Sequence, residues 1–318
     1  MLRREMVRRA GALAVRLAQS VAVLWAAFTV VFLILHVLPG DPVSIMLSQS
    51  EDGLSADPAQ VAALRARYGL DRPLPVQYGI ALYRALHLDF GQSIQTGQPV
   101  LATLRDVLPG TAALASVAFA LALLVGIALA VATHHAPEGA TKAALAALPA
   151  LGTALPTFWV GLLLLQVFSF HWPLFPAMGN DGWRALALPA ATLAIPTSAR
   201  IAQIAGRTLA DAAAQPFATA VAARGVGRAR LMAVHLLPNV AISLVTMSGL
   251  IAGNLLAGSV VTETVFSRDG IGRLAQLAVQ TKDIPVVEGV VLLAASLFVA
   301  INLAVDLLYP LLDPRIGK

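Results

Sequence analysis

The chain has 318 residues, of which 58% are hydrophobic and 12% are charged, and its mean hydropathy is +0.77. A soluble globular domain carries about twice that share of charged residues, so this composition excludes an ordinary water-soluble protein. The net charge of +5 comes from 22 basic and 17 acidic residues. An excess this small indicates basic loops facing the cytoplasm and not nucleic-acid binding. The absence of cysteine excludes disulfides, thiolate metal sites and thiol nucleophiles.

Six apolar runs, each long enough to cross a bilayer, follow one another along the chain. The first lies behind several arginines and is too long for the apolar region of a signal peptide, so we predict that it is retained as a helix. The fourth contains two prolines and an arginine, which favours a kinked or partly broken helix. The runs are 11–38, 107–133, 143–171, 185–204, 231–261 and 286–308. The sequence therefore predicts an all-α polytopic membrane protein with six transmembrane helices.

The distribution of charge predicts the orientation of these helices. An even number of spans places both termini on one side, and the arginines of the N-terminus and of the loop after the fourth run assign that side to the cytoplasm. The segment between the first two runs is then external. It contains a short predicted helix with Asp57 as N-cap, Pro58 at its first position and Gly69 at its end. This segment either caps the outer face or docks an external partner.

These expectations divide the chain into four parts. The first is the cytoplasmic N-terminus with the first transmembrane helix, and the second is an external, periplasmic subdomain. The third is the membrane domain with a cytoplasmic loop inside it, and the last is a short cytoplasmic tail. The corresponding residues are 1–39, 40–100, 101–312 with the loop at 207–230, and 313–318.

Several function classes lack the residues that they require. Ion-coupled carriers place titratable groups near the middle of the membrane. In the five most apolar runs of this chain, the titratable residues lie near the ends of the predicted spans. There is no phosphate-binding loop of the G-x-x-x-x-G-K-[ST] type, no nucleophile elbow and no H-E-x-x-H helix. His134 and His135 are adjacent and have no third ligand nearby in sequence. We therefore predict no catalytic residue, no metal site and no cofactor on this chain. The energy for any transport must then come from a partner protein. An ion-coupled carrier or a channel is the more distant alternative.

The loop after the fourth run is the most informative segment, and residues 211–239 contain DAAAQPFATAVAARGVGRARLMAVHLLPN. Pro216 suits the first turn of a helix, Phe217 and Val221 are spaced to share a face, and Gly225 can end the helix in a left-handed cap. This predicts a short amphipathic helix followed by a sharp turn. By its physical character alone, such a helix could lie on anionic lipid or dock into another protein.

The spacing resembles a known signature. Gly225 is followed by nine residues and then by His235, Leu236, Leu237 and Pro238, which is similar to the cytoplasmic loop of ABC importer permeases. Three other segments resemble the dipeptide, oligopeptide and nickel branch of that family, as does the C-terminal tail. These segments are FLILHVLPGDP at 32–42, VTETVFSRDGIG at 261–272, DIPVVEGVVLL at 283–293 and the tail DLLYPLLDPRI at 306–316. The resemblance covers nearly the whole chain.

The resemblance implies a type I ABC importer permease fold in the bacterial inner membrane. It implies a second homologous permease subunit, two ABC ATPase subunits that hold ATP and magnesium, and an external solute-binding protein as partners. The cargo is expected to be a dipeptide or oligopeptide, with a nickel chelate or a glutathione-like solute as alternatives. The loop helix would be the coupling helix, which sits in a cleft of the ATPase. The implied coupling residues are Pro216, Phe217, Thr219, Ala220, Val221, Arg224, Gly225, His235, Leu237 and Pro238.

The loop also departs from the family pattern. Thr219 stands where many members have a glutamate, so coupling would depend on shape more than on charge. A separate set of polar residues at span depth could line a translocation path, because polar groups facing lipid are costly; several could instead bond between helices. These residues are Gln166, Ser243, Thr246, Ser248 and Asn254.

Overall fold

The computed structural model describes residues 2–37, 40–48 and 58–312, with side chains from 15–37, 40–47 and 59–307. The predicted tail 313–318 and the predicted N-cap Asp57 lie outside the described residues. Within them the chain is helical, apart from turns and one isolated bridge between Gln92 and Pro99. The chain divides into two compact units, one of residues 1–109 and 273–300, the other of residues 110–272 and 301–318.

The helices of the first half of the chain include two of the predicted spans. The first span lies in α1 and the second in α5. The shorter helices α2 to α4 belong to the segment predicted to be external. Their bounds are α1 Leu2–Val37, α2 Pro42–Ser48, α3 Pro58–Tyr68, α4 Leu74–Leu86 and α5 Val100–His135.

The second half of the chain contains the other long helices and the loop helix. The bounds are α6 Ala140–Ala154, α7 Thr157–Leu165, α8 Gly182–Ala213, α9 Pro216–Ala223, α10 Arg228–Arg230, α11 Leu237–Val265, α12 Ile271–Gln280 and α13 Ile284–Leu312. Two π-helical turns, Gln166–His171 and Leu231–Leu236, follow α7 and α10.

Among the described residues, five helical segments are long and apolar enough to span a membrane. The third predicted run is not one helix: α6 and the segment 157–171 meet at an angle of 99°. The break falls at Leu155, which is extended with φ −78° and ψ 126°, because the following Pro156 disfavours helical backbone before it. Counting this bent pair as one span gives the predicted six.

The fourth predicted run behaves in the opposite way, since α8 is one continuous helix despite Pro189 and Pro196. A proline has no N–H to offer the carbonyl four residues earlier, which for Pro189 is that of Ala185. The Arg268 Nη1 atom donates to this carbonyl oxygen at 3.0 Å and so supplies the missing donor. Of the predicted kink or partial break, the break does not occur at Pro189, because a side chain from a distant segment of the chain satisfies the freed carbonyl.

Helix α8 lies at the centre of the second unit, in contact with α6, α7 and α11. Two thirds of the apolar stretch of α8 is buried. Small residues allow this close packing. A Cβ added at Gly126 of α5 would lie 2.7 Å from both the Ile201 Cγ2 atom and the Ser198 carbonyl oxygen of α8. A Cβ added at Gly152 of α6 would lie 2.7 Å from that of Ala199. The backbones of these helices therefore approach one another as only glycine permits.

The first unit joins the end of α1 to the segment predicted to be external. Tyr78 of α4 packs against Phe32 of α1 with ring centroids 5.2 Å apart, and its hydroxyl shares a hydrogen bond of 2.8 Å with Thr29. The loop before α5 is fastened to the turn before α13, because the buried Asp283 carboxylate accepts hydrogen bonds from the Ser93 hydroxyl and the Ile94 N–H. The segment predicted to be external is therefore packed against α1 and the start of α13 in this unit.

Candidate functional site

The loop after α8 folds into the short helix that its sequence predicts. Gln215 is extended, with φ −72° and ψ 146°, and α9 begins directly after it at Pro216, a position where the missing N–H of proline costs nothing. The helix ends because Gly225 adopts φ +81°, while its N–H donates to the Ala222 carbonyl oxygen at 3.0 Å. Such a left-handed cap favours glycine. The predicted helix and its predicted cap are confirmed.

One face of α9 is anchored in the apolar core of its unit. Ala218 is 5% exposed and belongs to the same buried cluster as Met232 and Leu236 of the second π-helical turn. Helix α9 also contacts the end of α8. The sequence pattern did not single out these three anchors, because only the tertiary packing shows which residues of this alanine-rich segment face inward. Helix α9 is therefore packed against α8 and the second π-helical turn of its own unit.

The opposite face of α9 is uncovered. Phe217 is 40% exposed, and Val221, expected to share its face, is half-buried. The other predicted coupling residues on this face are exposed: Pro216, Thr219, Ala220, Arg224 and Gly225. Phe217 is therefore an exposed aromatic ring among small side chains, with the Arg224 side chain following the end of the helix.

The remaining predicted coupling residues lie where the chain re-enters the helical body. His235 is in the second π-helical turn, and its carbonyl oxygen accepts a hydrogen bond from the Asn239 side chain at 2.8 Å. Leu237 begins α11 and Pro238 occupies its first turn, where proline is tolerated. These residues shape the junction between loop and span, and none of them lies on the exposed face of α9.

The predicted path residues make different kinds of hydrogen bond. Ser243 accepts a hydrogen bond of 3.2 Å from the Thr208 hydroxyl and so links α11 to α8. The other three on α11 bond to the backbone of their own helix: Thr246 to Ile242, Ser248 to Val245 and Asn254 to Leu250. Gln166 is exposed at the first π-helical turn.

The structure adds a buried polar cluster whose contacts the sequence motifs do not reveal. The Glu263 carboxylate, 1% exposed, accepts from the Thr111 hydroxyl at 2.6 Å and from the Gly272 N–H at 2.8 Å. The Thr111 oxygen in turn accepts from the Ile271 N–H at 2.8 Å. A Cβ added at Gly270 would overlap this carboxylate. We call Thr111, Glu263, Gly270, Ile271 and Gly272 the carboxylate cluster; it explains why a glutamate and two glycines occur together in the segment 261–272.

Known families match both parts of this chain. Residues 122–318 match the model described as "Binding-protein-dependent transport system inner membrane component". Residues 6–115 match the model of the N-terminal part of such membrane components. The first match alone covers well over half of the chain. The chain belongs to this family.

Curated relatives match along nearly their whole length. A protein of Brucella abortus (strain 2308), named provisionally as a peptide transport system permease protein, is 35% identical over 95% of this chain and 97% of the relative. The glutathione transport system permease protein GsiC of Salmonella choleraesuis shows the same identity and coverage. A probable peptide ABC transporter permease of Sinorhizobium fredii is 34% identical. Among solved structures, an amino acid ABC transporter is 18% identical, covers 68% of this chain and gives a TM-score of 0.49.

Family membership establishes the role of the chain in general terms. It is the multi-pass inner-membrane permease subunit of an ABC importer, with the type I importer permease fold. The permease is the transport subunit and is not itself an enzyme. Its partners are therefore an ATPase and a substrate-binding protein. The expectation drawn from the loop signature and from the terminal motifs is confirmed at this level.

Proposed function

We propose that this permease translocates dipeptides or oligopeptides that an external solute-binding protein delivers, and that α9 couples it to the ATPase. The observation that carries the coupling role is the contrast between the two faces of α9. Ala218 is buried in the core, whereas Phe217 on the other side is exposed. In this proposal ATP and magnesium are held by two ATPase subunits, and a second homologous permease completes the path.

The proposed orientation places both termini and α9 in the cytoplasm. It is supported by the exposed arginines that follow α9, namely Arg224, Arg228 and Arg230, because basic loops remain on the cytoplasmic side. Closure of the ATPase dimer on ATP would then move α9 as a lever. The long helices anchored to it would alternate between inward-open and outward-open arrangements.

The cargo is supported by the names of the relatives, which include peptide and glutathione permeases. The experiment is uptake of a labelled dipeptide and of labelled nickel by cells with and without this gene, with the other subunits intact. We expect loss of dipeptide uptake alone. Loss of nickel uptake alone would move the cargo to a metal chelate, and uptake by the purified chain without ATP would overturn the importer role.

The coupling role predicts that Phe217→Asp uncouples the transporter without unfolding the permease. The ring lies outside the buried cluster that holds Ala218, while a buried contact in an ATPase cleft would lose its apolar area and acquire an unpaired charge. We expect ATPase co-purification to fall at least tenfold. Gln215→Asp is the control, because it adds the same charge at the exposed position before α9, where aspartate is a favoured cap.

The cap of α9 offers a matched pair of glycines for the same measurement. Added Cβ atoms at Gly225 and Gly227 would both meet open space, but Gly225 has φ +81° and Gly227 has φ −60°. Valine at Gly225 is strained by roughly 1–2 kcal/mol or more, whereas valine at Gly227 is not. We expect Gly225→Val to weaken ATPase association and uptake, and Gly227→Val to leave both intact. Equal behaviour of the two variants would contradict the assignment of α9.

A further inference from the structure

A cavity of about 580 Å³ opens within the first unit. Its walls come from the last turns of α1, the turn between α3 and α4, α4 itself, the loop before α5 and the first turns of α13. The volume is in the usual range for sites that bind small molecules, which is roughly 300–1,000 Å³. The family match assigns no role to this cavity, and none of the predicted coupling or path residues lines it.

Glu288 of α13 lines the cavity and is 8% exposed, so more than nine tenths of its surface is buried. Its Oε1 atom has no hydrogen-bond partner within the described part of the chain. Asp283, five residues earlier, shows the usual solution for a buried carboxylate in this unit, with donors from Ser93 and Ile94. A buried carboxylate oxygen without a donor is costly to the fold, and such a group in a cavity indicates a ligand that brings the donor.

The mouth of the same cavity carries the opposite charge. Arg67 and Arg72 line it and are exposed. Arg84 also lines the cavity, and its Nε atom lies 3.9 Å from the Asp89 carboxylate. Guanidinium groups are the side chains best suited to hold a carboxylate. A buried carboxylate inside and two exposed guanidinium groups at the mouth complement a molecule with an ammonium group at one end and a carboxylate at the other.

We propose that this cavity is an accessory binding site for a zwitterionic peptide, whose ammonium group pairs with Glu288 and whose carboxylate faces Arg67 and Arg72. The inference rests on the proposed peptide cargo and deepens it. The cavity would hold the peptide on this subunit, so the permease itself would discriminate in favour of peptides with free ends.

The test is direct binding to the complete transporter in lipid nanodiscs without the solute-binding protein, measured by calorimetry. The probes are dialanine, N-acetyl-dialanine and dialanine amide. We expect Glu288→Gln to weaken dialanine binding at least tenfold, as loss of a buried charge-assisted hydrogen bond requires. It should leave N-acetyl-dialanine, which lacks the ammonium group, unchanged. Arg72→Gln should weaken dialanine but not dialanine amide, which lacks the carboxylate.

Two controls separate a ligand site from a structural role. Glu138→Gln removes a carboxylate that lies outside the cavity and is 85% exposed, and it should bind dialanine as the unaltered protein does. Glu288→Gln should not lower the melting temperature of the ligand-free complex, because the Glu288 Oε1 atom has no hydrogen bond within the described residues that the substitution could remove. A lowered melting temperature would show that Glu288 serves the fold, and the proposal would then be wrong.

Two further outcomes would overturn the site. Dialanine could bind Glu288→Gln as tightly as the unaltered protein, or the unaltered protein could show no binding at millimolar dialanine. Either result, obtained with a transporter that still takes up dipeptide from its binding protein, rejects the cavity and keeps the peptide importer. A transporter that takes up no peptide under any condition rejects the proposed cargo itself.

Discussion

Replacement of Thr111 by valine is expected to destabilise the second unit by about 3 kcal/mol. Valine matches the shape of threonine and lacks only the hydroxyl. That hydroxyl makes two hydrogen bonds, one donated to Glu263 at 2.6 Å and one accepted from the Ile271 N–H at 2.8 Å. A hydrogen bond to a charged group contributes roughly 1.5–3 kcal/mol, and a buried N–H without a partner costs roughly 1–3 kcal/mol. The expected loss is towards the lower end of their sum, because the site relaxes.

The matched control is Thr111→Ser, which keeps the hydroxyl and removes one methyl group, at a cost of about 1 kcal/mol. The assay is thermal unfolding of the detergent-solubilised permease, followed by loss of the monodisperse peak in size-exclusion chromatography. We expect the melting temperature to fall slightly for serine and by several degrees more for valine. Equal melting temperatures for the two variants would refute the role assigned to the hydroxyl in the carboxylate cluster.

Three other predictions concern packing, two in the second unit and one in the first. Gly126→Ala should lower the melting temperature, because its Cβ would lie 2.7 Å from the Ser198 carbonyl oxygen. Gly206→Ala, which meets open space in a helix, should raise stability by roughly 0.5–1 kcal/mol; a lower melting temperature for Gly206→Ala would contradict this. Asp283→Ala removes the carboxylate that accepts hydrogen bonds from the Ser93 hydroxyl and the Ile94 N–H. Limited proteolysis should then cleave the loop before α5 faster than in the unaltered protein. Unchanged cleavage would show that Asp283 does not hold this loop in place.

The long helices and α9 were predictable because their determinants are local in sequence. Apolar runs long enough for a bilayer must form helices, since only helices and barrels satisfy the backbone in lipid. Pro216 and Gly225 delimit α9 through backbone geometry that does not depend on the rest of the chain. The order of these elements along the chain, together with the motif spacing, was sufficient to indicate the family.

The hydrogen-bond partners of polar residues within the spans, and the effect of each proline on its helix, could not be predicted in the same way. A serine or asparagine in a membrane span can form its hydrogen bonds with the backbone of its own helix, with a neighbouring helix, or with a solute or water in a channel. The sequence does not distinguish these, and of the predicted path residues Ser243 was found to link two helices. The prolines differ in the same way. The chain bends at Pro156, where α6 has ended. Helix α8 continues through Pro189, because Arg268 donates to the Ala185 carbonyl that Pro189 leaves without a donor.

The sequence by itself determined that this is a helical membrane permease with an exposed loop helix, because composition, run length and cap residues act within a few neighbours along the chain. The tertiary structure alone decided which side chains of that helix are buried, how Glu263 is satisfied and which residues surround Glu288. The hydrogen bond between Thr111 and Glu263 joins residues 152 positions apart, and the cavity that Glu288 lines is also bounded by residues of α1 and α4. The energies of such contacts depend on distances and burial that no local pattern encodes.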